Sequence, residues 1–253
     1  MKQIADFTLV EKACYGNAVM LRLRGEVPLP EIAPGQFVQV RVDGSPSTYL
    51  RRPISIHDVD TGENEISLLV QMVGEGTRHL GAANVGDIIN LVLPLGKCYT
   101  LPEKNDQVLL VGGGIGIAPL FYLGKRMAAK GVKPIFLLGG KKAADLVRLD
   151  AYRSLGTTLV TTEDGSLGEK GFVTMHSVWH RQSFDKIYVC GPKPMMKAVA
   201  KLATESNTWC EVSLEHMMAC GLGACLCCVE DTVEGNLCVC KEGPVFNIRR
   251  LKW

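Results

Sequence analysis

Hydrophobic positions in the first hundred residues recur in short β-branched or alternating runs, at 8–13, 19–24, 37–42, 54–59, 66–72 and 88–93, with Gly, Pro, Asp and Asn between them. Alternation with period two buries one face of an extended strand, and breaks at this spacing mark turns, so the pattern predicts six strands forming an antiparallel barrel. Residues 77–83, between the fifth and sixth runs, predict one short helix. From about 105 to 208 the rhythm changes. Runs at 108–111, 134–138, 157–161 and 187–190 read as buried strands, while 120–129 and 195–204 carry helical spacing. Buried strands alternating with helices predict a parallel α/β sheet. The last 44 residues, 210–253, have little of either period. Such a segment needs something besides an apolar core to order it, and a bound metal supplies that. The expected fold class is a multidomain α+β chain: a barrel over 1–102, an α/β domain over 103–208 and a small Cys-rich module over 209–253.

Composition sharpens this division. The chain has 253 residues, 47% hydrophobic and 21% charged, which supplies more than one core and excludes disorder. A net charge of +2 argues against nucleic acid as the main partner. Asp6 and Glu11 interrupt the stretch where a secretion signal needs an unbroken apolar run, and no apolar run reaches the roughly 18 residues of a membrane span. A cytoplasmic location without membrane contact is expected.

The ten cysteines are unevenly placed. Cys14, Cys98 and Cys190 lie far apart, whereas Cys210, Cys220, Cys225, Cys227, Cys228, Cys238 and Cys240 crowd the C-terminal segment. A disulfide framework belongs to small secreted domains, so a local cluster in a core-rich chain points to a metal or cluster site. Cys220-Gly-Leu-Gly-Ala-Cys225-Leu-Cys-Cys228 contains C-x4-C-x2-C, the spacing of plant-type [2Fe–2S] proteins, with a later fourth cysteine. Structural zinc on Cys225, Cys228, Cys238 and Cys240 is the competing reading. Spacing alone does not separate Cys238 from Cys240 as the fourth cluster ligand.

Two glycine turns end predicted parallel strands. Gly112-Gly-Gly-Ile-Gly-Ile-Ala-Pro119 follows one strand, and Cys190-Gly191-Pro192 follows another. A strand breaking into glycines and then a helix brings backbone N–H groups to a phosphate, and open α/β sheets bind ligands at the carboxyl ends of their strands. The run does not match G-x-G-x-x-G, and a tight packing turn explains either one alone; together they favour a nucleotide. Arg52-Pro53-Ile54-Ser55 and Gly76-Thr77 can bind phosphate and a flavin edge, though an edge strand and a capped turn account for them equally.

These four motifs occur in the order seen in the ferredoxin–NADP reductase superfamily. Ser213-Leu-Glu-His-Met-Met-Ala-Cys220 through Cys228, with Val239-Cys240-Lys-Glu-Gly-Pro-Val-Phe246, resembles the electron-transfer subunits of two-subunit NAD-dependent dihydroorotate dehydrogenases. The resemblance covers nearly the whole chain. It implies an FAD barrel, an NAD(H) domain and a terminal [2Fe–2S] module. It also implies cluster ligation by Cys220, Cys225, Cys228 and Cys240, because Cys240 precedes the Gly-Pro-Val-Phe signature. By the same likeness, Arg52, Pro53, Ile54, Ser55, Leu69, Gln71, Val73, Gly76 and Thr77 contact FAD. Gly113, Gly114 and Ile115 meet the dinucleotide, with Cys190, Gly191 and Pro192 near the nicotinamide. Cys227 is a thiol that this pattern does not use.

The implied activity is oxidoreduction in pyrimidine biosynthesis. Electrons arrive from an FMN-containing catalytic subunit in a heterotetramer of two chains of each kind. A cluster carries one electron and nicotinamide takes two, so FAD stands between them. No pair of residues suits general acid–base work, and no catalytic residue is assigned. The alternatives are a related FAD/[2Fe–2S] NAD(P)H reductase subunit serving ferredoxin, a hydrogenase or a sulfide-oxidising partner, and a zinc-stabilised binding protein on the same scaffold. Lys141 and Lys142 hint at NADP, Asp145 at an NAD ribose hydroxyl, and the resemblance favours NAD. His57, His79, His176, His180 and His216 are scattered without ligand spacing.

Overall fold

Alternation in the N-terminal runs becomes strands β1 (Gln3–Tyr15), β2 (Ala18–Gly25), β3 (Phe37–Val40), β4 (Arg52–Asp60) and β5 (Glu65–Gln71), then helix α1 (Glu75–Ala82) and strand β6 (Ile88–Leu95). The computed structural model describes residues 2–253. The six strands close an antiparallel barrel in the order β1-β2-β5-β4-β3-β6. Closure removes the exposed edges that short strands otherwise present. Phe7, Leu9, Leu21, Leu23, Ile66, Leu68, Leu91 and Leu93 fill its interior with no exposed area.

The continuous runs become β7 (Val108–Gly113), α2 (Ala118–Ala129), β8 (Ile135–Gly140), α3 (Leu149–Leu155), β9 (Thr157–Thr162), β10 (Glu169–Lys170), α4 (Val178–Arg181), β11 (Lys186–Cys190) and α5 (Lys193–Glu205). Both long helices start two residues before their apolar periodicity, with Pro119 and Pro194 in the first turn, where a missing N–H costs nothing. Helix α3 is an addition that its short periodic stretch did not announce. Its Tyr152 is fully buried, donates to the Ile117 carbonyl at 2.9 Å and meets Phe121 and Phe136 edge-on.

The C-terminal segment is more regular than its sequence reads. It holds β12 (Trp209–Ser213), β13 (Val229–Thr232), β14 (Gly235–Cys238), α6 (Val239–Glu242) and β15 (Val245–Asn247). Strand β12 runs parallel to β11, and β15 pairs antiparallel with β12, giving a seven-stranded sheet in the order β10-β9-β8-β7-β11-β12-β15. The irregular stretch therefore begins after Ser213 rather than at Cys210. The reason is packing: Cys210 and Val212 are buried in the sheet as ordinary apolar side chains.

Residues group into two compact units. One comprises Met1–Cys98, Glu215–Asp231 and Gly235–Pro244; the other comprises Tyr99–Leu214, Thr232–Glu234 and Val245–Trp253. The cysteine loop thus belongs with the barrel residues. Lys97 donates its N–H to the Gly243 carbonyl at 2.6 Å, and a Cβ on Gly96 would stand 2.5 Å from Pro244. Among the described residues no helix is long and apolar enough to cross a membrane.

Candidate functional site

In the barrel unit, a pocket of about 410 Å³ is lined by Ser47–Leu50, Arg52 and Val73–Thr77. Of the residues expected at a flavin, Arg52, Val73, Gly76 and Thr77 line it. Pro53, Ile54 and Ser55 continue up β4 from Arg52, paired with Gln39, Val38 and Phe37 of β3. Leu69 is buried in the barrel, and Gln71 ends β5 below the loop to α1. The Thr77 hydroxyl accepts the N–H groups of Val73 and Gly74, each at 3.1 Å, and fixes the turn into α1. A Cβ on Gly76 would stand 2.9 Å from the Thr48 methyl, so the cradle at the start of the helix admits no side chain. A phosphate fits such a place, met by helix N–H groups and the Arg52 guanidinium. The loop residues Ser47 to Leu50 went unread in the sequence because they follow no period. The hydroxyls of Ser47 and Ser45, which donate to the Glu75 carboxylate, hold its pKa below the usual carboxylate value.

In the second unit, the strands after β7 depart in opposite directions, β8 on one side and β11 on the other. Such a switch point leaves a crevice at the carboxyl ends of the strands, the ligand position of open α/β sheets. Both glycine turns sit there. A Cβ on Gly116 would lie 2.5 Å from the Cys190 carbonyl oxygen and 2.5 Å from the Gly191 Cα, and one on Gly191 would lie 3.0 Å from the Gly113 nitrogen. The structure therefore brings Gly113, Gly114 and Ile115 together with Cys190, Gly191 and Pro192. Gly114 has φ +55 and an open Cβ direction, so the turn presents bare backbone.

The cysteine loop is built differently. Gly221 (φ +68), Gly223 (φ +85) and Leu226 (φ +57) take left-handed conformations that turn successive N–H groups inward. The Leu222 N–H reaches the Cys220 sulfur at 3.3 Å and, with those of Cys225 and Ala224, holds that thiol down to about 6. Cys228 and Cys240 are buried, and the Cys240 N–H donates to the Cys228 sulfur at 3.3 Å. Burial and the Cys228 neighbour push Cys240 up to about 12, so it becomes a thiolate only against a cation. Cys220, Cys225 and Cys228 also act electrostatically on Cys238, which donates to the Gly223 carbonyl at 3.9 Å. Cys227 turns away and donates to the Met217 carbonyl at 3.6 Å. His216 meets Glu230 at 2.7 Å beside the loop. Inward N–H groups, an acidic thiol and buried partner thiols suit an anionic iron–sulfur cluster.

A closed antiparallel barrel, a switch-point crevice and a thiol loop define the ferredoxin reductase-like class with an added iron–sulfur module. Residues 215–252 match the family model for the iron–sulfur cluster binding domain of dihydroorotate dehydrogenase B, and residues 110–201 match that for an oxidoreductase NAD-binding domain. The chain is 39% identical over 234 residues to the dihydroorotate dehydrogenase B (NAD(+)) electron transfer subunit of Shouchella clausii, covering 90% of each. It is 42% identical over 217 residues to that of Caldanaerobacter subterraneus, covering 84% of each. A solved NADH-dependent reduced ferredoxin-NADP oxidoreductase is also similar, at 30% identity and a TM-score of 0.88, over 98% of this chain and 90% of that one. The chain belongs to the family of dihydroorotate dehydrogenase B (NAD(+)) electron transfer subunits.

Proposed function

We propose that this chain passes electrons from an FMN-containing dihydroorotate dehydrogenase subunit to NAD+ through a [2Fe–2S] cluster and FAD, as a step of pyrimidine biosynthesis in the cytoplasm. Two copies of each subunit form the working heterotetramer. Its parts are the FAD segment 1–102, the NAD segment 103–208 and the cluster segment 209–253. FAD exchanges electrons singly with a cluster and in pairs with nicotinamide, and that is the chemistry it supplies when bound.

The chain's own residues bind and orient. Arg52 and the α1 N–H groups hold phosphate, with Pro53, Ile54, Ser55, Leu69, Gln71, Val73, Gly76 and Thr77 shaping the flavin surface. The backbone of Gly113, Gly114 and Ile115 receives the dinucleotide phosphates, and Cys190, Gly191 and Pro192 border the nicotinamide. Cys220, Cys225, Cys228 and Cys240 ligate the cluster, whose loop faces the catalytic partner. Exposed Met217, Leu222 and Leu226 beside those thiols supply apolar contact area there.

The observation that carries this reading is the cysteine loop: N–H groups directed at Cys220 favour a one-electron centre in a chain that also has a switch-point crevice. The test is co-expression with an FMN subunit and assay of the purified complex under anaerobic conditions. Dihydroorotate should reduce NAD+ in the complex and not with the FMN subunit alone. A complex that binds both flavins and the cluster yet leaves NAD+ unreduced would overturn the proposal.

A further inference from the structure

One amide in the barrel unit has no partner for either of its ends. Gln39 of β3 is 1% exposed, and its Oε1 and Nε2 atoms are buried with no hydrogen-bond partner among the described residues. Its backbone is fully engaged. Gln39 pairs with Pro53 of β4 on one side and Val92 of β6 on the other, and its carbonyl accepts from the Arg51 guanidinium at 3.3 Å. Burying a carboxamide unmet is costly, so such a group calls for a partner that the polypeptide does not supply.

Its position says which partner. Side chains alternate along a strand, so Phe37 and Gln39 share one face of β3 while Val38 and Val40 take the other. The cysteine segment covers the Phe37–Gln39 face. A Cβ on Gly96 would meet both Pro244, at 2.5 Å, and the Phe37 ring, at 3.0 Å. A Cβ on Gly221 would stand 2.8 Å from Gln39 Cγ and 3.0 Å from its Nε2, so the amide ends against the residue that follows Cys220. Residues directly opposite in an antiparallel pair project from the same face. Ser55 lies opposite Phe37 and Pro53 opposite Gln39, which puts two residues of the proposed flavin strand on that face as well. Gln39 thus stands between the flavin strand and the thiol loop.

We propose that the Gln39 amide donates its N–H to the iron–sulfur cluster of the Cys220 loop and thereby raises that cluster's reduction potential. The reduced form carries the additional negative charge, so a donor aimed at its sulfurs favours reduction. The loop's own N–H groups travel with the loop. The Gln39 donor instead belongs to the barrel, and the pairing of β3 with β4 fixes it relative to the flavin strand. This inference rests on the loop being a [2Fe–2S] site, and the test separates the two.

The full chain, loaded with FAD and cluster, is titrated reductively without oxygen while the electron paramagnetic resonance of the reduced cluster is followed. Gln39→Met keeps the length of the side chain and removes both polar ends. Its cluster should be about tenfold harder to reduce, a fall of about 59 mV for a one-electron couple. After exchange into D2O, a deuteron coupling to the reduced cluster that wild type shows should vanish in the variant. Gln39→Leu should move both readings the same way, and it carries the measurement if the methionine variant fails to load. A wild-type potential in the variants, or retention of every exchangeable coupling, overturns the inference alone. A wild-type chain without any iron–sulfur signal overturns the [2Fe–2S] reading, and the inference with it.

Discussion

Two glycine-rich segments in this molecule use the same residue for different physical reasons. At Gly112, Gly113 and Gly116, glycine is needed because there is no room: a Cβ on Gly113 would lie 2.4 Å from the Met195 sulfur, and one on Gly116 would strike the backbone at 190–191. At 221 and 223, glycine is needed because the backbone is left-handed, at φ +68 and +85, and the nearest obstacles are the flexible side chains of Gln39 and Lys241. The first segment is shaped by packing and the second by torsion. Both present bare backbone, but they should fail differently.

The sharpest break is Gly116→Ala. Its obstacles are main-chain atoms of the neighbouring turn, which cannot rotate aside, so the cost should reach about 3 kcal/mol, the upper range for overpacking. Denaturation of this variant should begin earlier, and ADP binding should be lost while iron–sulfur absorbance persists. Wild-type melting with normal ADP affinity would show that the turn has slack.

Much of this contrast was readable in the sequence, but its causes were not. Six alternating runs gave the barrel and four apolar runs gave parallel strands, because periodicity directly encodes which face is buried. The cysteine spacing gave the loop. Sequence could not give the approach of Gly116 to Cys190, which arises only when β7 and β11 pair in the sheet. Nor could it show that Trp209–Ser213 belongs to that sheet, since one strand beside a run of cysteines carries too little pattern of its own. The pocket-lining stretch 47–50 is hidden for a similar reason: it is placed by barrel closure rather than by local propensity.

The thiols sharpen the comparison next. Cys240→Ser should abolish the cluster's visible absorbance, because Cys240 sits buried against Cys228. Cys227→Ser should leave the absorbance intact, since that thiol points to the Met217 carbonyl. Cys238→Ser should retain it too. A cluster that survives in the Cys240 variant and disappears in the Cys238 variant would exchange the two assignments.

A smaller effect tests torsion directly. Gly221→Ala should cost about 1–2 kcal/mol, the penalty for a left-handed L-residue, and lower cluster occupancy without touching ADP binding. Gly221→Asn should recover part of that loss, because Asn tolerates the left-handed region. At Gly116, where space is the constraint, Asn should be no better than Ala. If Asn and Ala behave alike at 221, contact with Gln39 controls that position as well, and the contrast between the segments collapses.

The smallest effect concerns charge. N–H groups around Cys220 favour its charged form, whereas burial raises the pKa of Glu211 in β12 above the usual carboxylate range, partly opposed by the Thr100 N–H at 2.9 Å and its hydroxyl at 2.8 Å. A group whose folded pKa lies above its unfolded one binds its proton more tightly in the native state. The stability it contributes is full at acid pH and declines as pH rises from the ordinary carboxylate range through the raised value. Glu211→Gln keeps the shape and cannot ionise, and the Thr100 hydroxyl can rotate to suit the amide. Urea midpoints of wild type and variant should therefore agree near the acid end of the window and diverge towards neutrality, with wild type the less stable. Parallel midpoints across that range would mean that the two Thr100 hydrogen bonds offset the burial of the charge, leaving the second unit as tolerant of a buried anion as the cysteine loop.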